Sequence, residues 1–146
     1  MAKSLKKAVW KEMSRYVRLR DSIDYCQRNN LPLDSGVARC CTCVKVVSHW
    51  KYADAGHFFG RGLGGGSGAY FDERNVNLQC KTCNGFQQGN TVAYREFMLQ
   101  KYGQRVIDEL EIKHRAGKKW TEQELIGLKL YYKSEFERLK QEAQNG

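Results

Sequence analysis

Two Cys-x-x-Cys pairs constrain the fold of this 146-residue chain more than any other feature of its sequence. The pairs are Cys40 with Cys43 and Cys80 with Cys83. A structural Zn²⁺ ion takes four thiolate or imidazole ligands in a tetrahedron, and each Cys-x-x-Cys turn supplies two thiolates. Disulfides are the alternative, but the lysine-rich N-terminus lacks the apolar core of a secretory signal. The spacing therefore predicts a four-cysteine zinc site that joins the two turns.

Two further cysteines stand outside these pairs. Cys41 is adjacent to Cys40, and a Cys41-x-Cys43 spacing is too cramped for the usual zinc-binding turn. Cys26 lies within a helical pattern and is expected to be a small buried hydrophobe. Neither is predicted to bind the metal.

The charge of the chain favours a polyanionic partner. Lys and Arg number 25 against 16 Asp and Glu, which gives a formal net charge of +9. Long-range electrostatics of this sign attract nucleic acid, although a basic protein with well-solvated surfaces has the same composition. No stretch approaches the roughly 20 apolar residues of a membrane helix, so we expect a soluble, cytoplasmic protein.

Apolar residues recur at helical spacing from Leu5 to Cys26 and predict one long N-terminal helix. Its opposite side carries Lys3, Lys7, Lys11 and Arg18. These cations form either a ridge that faces phosphates or an ordinary solvated face. The only proline, Pro32, places the end of this helical region near residues 30–36.

The middle of the chain, residues 37–90, predicts short strands and loops, whereas the end is helical. Glycines dominate residues 60–68, which predicts a mobile hairpin tip or a plain flexible linker with too much glycine to pack. Gly89-Asn90 is expected to cap a helix that stops at Gly103. The sequence Thr121-x-x-Glu124 predicts a capping box at the start of the last helix.

These patterns divide the chain into three predicted parts. Residues 1–36 form an N-terminal helix and linker, residues 37–103 form the cysteine-bearing core, and residues 104–146 form a C-terminal helical extension. The fold class is therefore α+β.

The residues in and around the core resemble the NinG (Rap) recombination nucleases of lambdoid phages. The resemblance covers roughly residues 40–110 and is specific in order, spacing and residue type. It rests on Cys40-x-x-Cys43, Asp54-Ala55-Gly56-His57-Phe58, Arg61-Gly62, Asn75-Val76-Asn77-Leu78-Gln79-Cys80-x-x-Cys83-Asn84, Gly89-Asn90, Tyr94-Arg95 and Tyr102-Gly103.

More broadly, the run is similar to HNH, or ββα-metal, nucleases and especially to their zinc-bearing branch. The resemblance implies a zinc-stabilised ββα-metal core flanked by N- and C-terminal α-helices. It also implies metal-dependent hydrolysis of branched DNA, such as Holliday junctions and displacement loops, in the host cytoplasm if the chain is phage-encoded. A homodimer with paired active sites, joined through the apolar faces of the terminal helices, is expected by the same analogy.

The resemblance assigns catalytic roles to individual residues. His57 is the expected general base, because histidine is largely neutral at physiological pH and can accept a proton from water. Asn75 is expected to pin the loop and orient His57. Asn84 is expected to bind catalytic Mg²⁺ or Mn²⁺, which prefer oxygen ligands. Gly56 stands where many of these nucleases have an aspartate, so Asp54 either binds the metal from a bulge or caps a strand.

Several other charged residues receive weaker assignments. Asp72 and Glu73 are lesser candidates for the second metal ligand. Arg61 is expected to stabilise the scissile phosphate, since a guanidinium matches phosphate oxygens. The residues expected to contact neighbouring DNA phosphates are Arg61, Arg74, Lys81 and Arg95, and the histidines expected to lie on the surface are His49 and His114.

Two alternatives remain open at this point. A non-catalytic, zinc-stabilised DNA-binding module explains the charge and the cysteines equally well, but not the positions of His57 and Asn84. An RNA-directed nuclease is the weaker alternative, because phosphate contacts do not identify the sugar.

Overall fold

The structure is a computed structural model that describes residues 2–60 and 66–146. This part of the chain combines four α-helices with two small antiparallel sheets, which confirms the mixed helix and sheet class. The helices are α1 (Ala2–Arg28), α2 (Thr91–Lys101), α3 (Gln104–Ala116) and α4 (Glu122–Asn145). The strands are β1 (Ala38–Arg39), β2 (Val46–Val47), β3 (Asp54–His57) and β4 (Val76–Gln79). Within these residues no helix is long and apolar enough to span a bilayer.

The long N-terminal helix and its end are confirmed. α1 stops at Arg28, and Asn30 adopts a left-handed backbone with a φ of 55°. The Leu31 amide donates to the Cys26 carbonyl at 2.9 Å, so the last turn is closed by a backbone bond.

α1 and α4 pack against each other and enclose the larger hydrophobic core. Val9 and Met13 of α1 are fully buried, and Leu125 and Phe136 of α4 lie in the same cluster. The predicted capping box at Thr121 is present at the start of α4. The apolar faces of the two terminal helices therefore pack against each other within the chain, where a homodimer interface was expected.

β3 and β4 form an antiparallel pair in a regular register, with Asp54 opposite Gln79 and His57 opposite Val76. The other edge of β4 is held by α1. The Asp21 carboxylate accepts the Leu78 amide at 2.8 Å. Burial opposes ionisation of Asp21, but Arg20 and Lys101 lie nearby and lower the pKa of its carboxyl below the usual value. The strand pair is thus anchored on a charged group of the helix.

The chain after β4 turns through a π-helical segment, Thr82–Phe86, and enters α2. Tyr94 of α2 is buried under the strand pair, and its hydroxyl donates to the Gly56 carbonyl at 2.6 Å. Asn90 occupies the N-cap position but makes no side-chain cap, so that prediction is wrong; its amide instead donates to the Cys83 sulfur at 3.6 Å.

The glycine-rich segment is only partly described. Residues 61–65, including Arg61, lie outside the described residues, and so does most of the predicted hairpin tip. The end of the segment does pack, contrary to prediction. The Gly68 amide donates to the Lys113 carbonyl at 3.1 Å, and a side chain at position 68 would overlap that oxygen. Glycine is required there because the loop lies directly against the backbone of α3.

Candidate functional site

The four predicted cysteines converge into one cluster. Their sulfur atoms all lie within 4.8 Å of one another, and the Cys43 and Cys80 sulfurs are 3.7 Å apart. A tetrahedral zinc site with Zn–S bonds of ~2.3 Å has sulfurs ~3.8 Å apart. All four are free thiols rather than disulfides. The cluster therefore fits a structural Zn²⁺ ion, and the predicted grouping of these cysteines is confirmed.

The surroundings of Cys40 favour its thiolate. Burial opposes ionisation, but the Thr42 hydroxyl and several backbone amides bond to the sulfur and lower its pKa to about 6. Cys41 lies outside the cluster and packs beside the core formed by α2 and α3. Cys26 is fully buried beside Ser35, as predicted. These contacts separate the four clustered thiols from the two others.

A cavity of about 510 Å³ opens beside the thiol cluster. It brings together four of the predicted site residues, which are separated in the sequence by up to 30 positions. Those residues are Asp54, His57, Lys81 and Asn84, and the other residues around the cavity include Trp10, Ser14, Arg18, Lys51, Gly60 and Tyr70.

Asp54 and Asn84 form the polar centre of this cavity. The Asn84 amide donates to one carboxylate oxygen of Asp54 at 3.1 Å, and the Lys81 ammonium donates to the other at 2.8 Å. Asp54 begins β3 in regular register, so it reaches Asn84 without the bulge that the sequence analysis invoked. Asp54 therefore lies beside Asn84 at the start of the strand, where both alternatives placed it.

His57 ends β3 and lies against two aromatic rings. Its ring centroid is 4.6 Å from that of Trp10 and 4.1 Å from that of Tyr70, and both pairs are stacked. Its Nε2 atom is 3.0 Å from the Tyr70 carbonyl oxygen. Because a carbonyl only accepts, Nε2 carries the proton, and Nδ1 is the basic nitrogen of the neutral ring. The tautomer of His57 is thus set by the loop backbone.

Asn75 holds the loop that follows His57. It is fully buried, accepts from the Phe59 amide at 2.8 Å, and donates to the carbonyls of Phe59 (2.8 Å) and Ala69 (3.0 Å). These bonds join the two ends of the segment that contains the undescribed residues. Tyr70, whose carbonyl bonds to His57, is the residue directly after Ala69.

Gln79 is a polar residue at the site that the sequence analysis missed. It is fully buried, and its Nε2 donates to the Thr42 hydroxyl at 3.1 Å and the Gly89 carbonyl at 2.9 Å. Its Oε1 is buried and makes no hydrogen bond within the part of the chain that the structure describes. The available signal was a glutamine directly before Cys80, in a short strand rich in apolar residues that also holds Asn77.

The remaining candidates lie away from the cavity. Arg74 is committed to ion pairs with Asp72 at 3.0 Å and Glu109 at 2.8 Å. Burial opposes ionisation of Asp72, but bonds from Arg74 and Lys113 lower the pKa of its carboxyl to about 2. Arg95 is exposed on α2 and does not line the cavity.

Glu73 and the two other histidines also lie outside the polar centre. Glu73 sits with Asp72 in a short turn before β4 rather than in the cavity. His49 and His114 are half-buried rather than exposed as predicted. His49 accepts the Lys51 amide at 3.1 Å, and His114 lies 2.7 Å from the Ser67 hydroxyl.

A second cavity of about 510 Å³ adjoins the first and shares Trp10 and Tyr70 with it. It combines four lysines with aromatic rings. Its lining comprises Lys3, Lys6, Lys7 and Lys118 together with Trp10, Gly66, Ser67, Tyr70, Phe71 and Trp120. Part of the predicted lysine ridge of α1 therefore borders the site.

Comparisons with known proteins give consistent similarities. A family model described as "Bacteriophage Lambda NinG protein" matches residues 2–142. The chain is 34% identical over 102 residues to "Protein ninG" of Escherichia phage 933W, which covers 69% of this chain and 48% of that protein. It is 33% identical over 102 residues to the proteins of the same description from Salmonella phage P22 and Escherichia phage lambda, with 69% and 47% coverage in both comparisons. The chain thus spans about half the length of the curated relatives it matches. No solved structure matches.

Proposed function

Because the chain belongs to the NinG family of lambdoid phage proteins, we propose that it is an HNH-like, metal-dependent endonuclease that cuts branched DNA in the host cytoplasm. One observation carries this proposal. Asp54, His57 and Asn84 line a single cavity directly beside the thiol cluster. A DNA-binding module needs the charge and the cysteines but has no use for an oriented imidazole that lines the same cavity as a carboxylate.

The local architecture supports an HNH-like core. β3 and β4 form an antiparallel pair, His57 ends the first strand, and a helical segment follows the second at Thr82–Phe86. Asn84 lies in that segment, one residue after a clustered cysteine. The order of strand, loop, strand and helix is the one that the resemblance implies.

The donor set fits a hard divalent cation. Asp54 and Asn84 offer carboxylate and amide oxygens, which suit Mg²⁺ or Mn²⁺ rather than a thiol-seeking metal. The buried Oε1 of Gln79, which lacks a donor among the described residues, marks the same place. A bound cation would stabilise the charge that develops on the phosphate during hydrolysis.

His57 is proposed to take the proton from the attacking water. The Tyr70 carbonyl keeps the proton on Nε2, so the neutral ring presents Nδ1 as the base. Contacts with Trp10 and Tyr70 limit the rotation of the ring. A positioned general base contributes about 10²–10⁴-fold to the rate.

Basic residues mark the proposed DNA path. Arg18, Lys51 and Lys81 line the first cavity. The lysines of the second cavity extend this path beyond Trp10. Phosphate contacts of this kind give affinity without sequence readout, so binding should weaken steeply with salt.

We retain a homodimer in the proposal but assign it to a different surface. The apolar faces that pack in the core are not available. α4 also carries exposed apolar residues on its outer side, namely Ile126 (44% exposed), Leu130 (61%) and Tyr131 (46%). A dimer through this strip predicts that Leu130→Glu lowers the sedimentation coefficient to that of a monomer. Sedimentation of the parent as a monomer, with and without DNA, would rule the dimer out.

The test compares cleavage of a labelled Holliday junction, a displacement loop and a linear duplex in Mg²⁺ or Mn²⁺. The parent should cut the branched substrates, and His57→Ala should lose at least about 10²-fold in rate while keeping zinc and DNA binding. His49→Gln is the matched control and should cut normally. Tight binding without cutting by the parent favours the DNA-binding module. Preferential cutting of a matched branched RNA would move the substrate class to RNA.

A further inference from the structure

We propose that the side-chain carbonyl oxygen of Gln79 is a third protein ligand of the catalytic cation, beside Asp54 and Asn84. The inference rests on the proposed function for the presence of a cation. It assigns to this chain a ligand that neither the motif spacing nor the family resemblance indicated.

The orientation of the Gln79 amide is determined by its partners. Nε2 is 2.9 Å from the Gly89 carbonyl oxygen, which can only accept, so the nitrogen must face that side. The Thr42 hydroxyl at 3.1 Å takes the other proton. Oε1 therefore points away from both groups. It is buried without a donor among the described residues, so its lost hydration is not compensated unless a ligand binds there.

Oε1 and the Asn84 side-chain oxygen converge on one point at Gly56. A Cβ atom at position 56 would overlap Gln79 Oε1 and would lie 3.0 Å from Asn84 Oδ1. The two acceptor oxygens thus lie close together beside a backbone position where a side chain would displace the Gln79 oxygen. A cation between the two oxygens would bind both.

Reversing the Asn84 amide does not remove the conflict. Its nitrogen now donates to Asp54 at 3.1 Å. If the amide were reversed, the Asn84 side-chain oxygen would face the Asp54 carboxylate, and the hydrogen bond would be lost. In one orientation Asn84 leaves Gln79 without a donor, and in the other it repels Asp54. A divalent cation among the three oxygens satisfies all of them at once.

The strand register explains why glutamine can take this role. Many similar nucleases have an aspartate immediately before the histidine, where this chain has Gly56. Gln79 pairs with Asp54 on the adjacent strand, and its longer side chain reaches the space at Gly56 from β4. Compared with those nucleases, the ligand in this chain stands on β4 instead of β3. It is a neutral amide instead of a second carboxylate.

The experiment measures Mn²⁺ binding to the zinc-loaded chain without DNA, by electron paramagnetic resonance of free Mn²⁺. Gln79→Leu should weaken the Mn²⁺ affinity at least about tenfold, the scale on which loss of a metal-site interaction acts. Gln79→Glu should tighten it, because ligand charge increases affinity for hard cations. Gln87→Leu changes an exposed glutamine directly after the segment Thr82–Phe86; it is the matched control and should bind as the parent does.

Parent-like Mn²⁺ affinity in a zinc-loaded, folded Gln79→Leu variant would overturn the inference, as would the absence of Mn²⁺ binding by the parent. Gly56→Ala is the second variant if Gln79→Leu does not fold. Its methyl group would overlap Gln79 Oε1 and displace that oxygen, so it should also abolish binding; unchanged binding would count against the inference.

The two proposals fail in distinguishable ways. If the parent binds Mn²⁺ through Gln79 but cuts no nucleic acid, the ligand assignment stands and the nuclease proposal fails. If the parent cuts DNA and the Gln79 and Gly56 variants bind Mn²⁺ unchanged, the nuclease proposal stands and the ligand assignment fails.

Discussion

The thiol cluster and the proposed cation site, called here the oxygen centre and formed by Asp54, Gln79 and Asn84, share one stretch of the chain. The first offers sulfur ligands and the second offers oxygen ligands. Cys80 and Cys83 contribute to the first, whereas the flanking residues Gln79 and Asn84 belong to the second. Four thiols suffice to fill a tetrahedral shell, and three of them are buried, while Asp54 opens onto a cavity. Soft ligands in a closed shell suit a structural metal, and hard ligands with an open side suit a catalytic one. One turn thus carries part of the thiol cluster and part of the proposed cation site.

The largest expected effect breaks this arrangement at the thiol cluster. Cys80→Ser should lose zinc and the cooperative thermal transition, because structural zinc binding is worth about 10–16 kcal/mol in small zinc domains. Cys41→Ser is the matched control and should keep both. Zinc content and circular dichroism melting check the result. Parent-like zinc content in Cys80→Ser would contradict the four-thiol assignment.

A second variant should break the oxygen centre and spare the thiol cluster. Asn84→Ala is expected to lower cleavage of branched DNA by at least about tenfold, since it removes a proposed metal ligand. Zinc content and melting temperature should stay at parent values. Thr82→Ala, an exposed residue of the same turn, should cut normally. If Asn84→Ala instead released zinc, the two regions would not be separable.

A smaller effect concerns the turn that leads into β4. Asp72 has a side chain only 9% exposed and a carboxyl pKa of about 2 against an ordinary 3.8. The ion pairs that lower this pKa stabilise the fold by at most about 2 kcal/mol at pH 7. This stabilisation is fully present above about pH 3.8 and is lost as the pH falls through 2.

Asp72→Asn keeps an oxygen for the Arg74 amide but removes the charge. Urea unfolding should show a loss of about 2 kcal/mol that is constant from pH 7 to pH 5. Unchanged stability in the variant would show that the ion pairs are too well solvated to contribute. Zinc content should not change, which separates this turn from the thiol cluster.

The smallest expected effect concerns the charge balance of the oxygen centre. Lys81 bonds to Asp54 at 2.8 Å and competes with a cation for that carboxylate. Lys81→Met should tighten Mn²⁺ binding severalfold while reducing the salt slope of DNA binding by about one phosphate contact. Isothermal titration with Mn²⁺ and DNA binding at several salt concentrations measure both. Weaker Mn²⁺ binding in the variant would place the cation away from Asp54.

Features that depend on adjacent residues were readable from the sequence. The long α1, its end before Pro32, the break at Gly103 and the capping box at Thr121 all follow from local backbone chemistry. The grouping of the four thiols followed from spacing alone, since each turn presents its two sulfurs together. Local signals failed at Asn90, because its backbone is left-handed, with a φ of 49°, rather than extended as in a side-chain N-cap.

The surroundings of the candidate site depend on contacts between distant segments. Trp10 of α1 stacks on the His57 ring. The Tyr70 carbonyl, 13 residues further along the chain, bonds to the same ring and orients it. The sequence alone determined that four sulfur ligands would stand close together, because the spacing of each Cys-x-x-Cys turn constrains the backbone directly. It was the family resemblance, not the spacing, that placed His57 and Asn84 beside them. Only the tertiary structure brought Gln79 opposite Asp54 and into the space at Gly56, because strand register and helix packing arise from the burial of the whole chain.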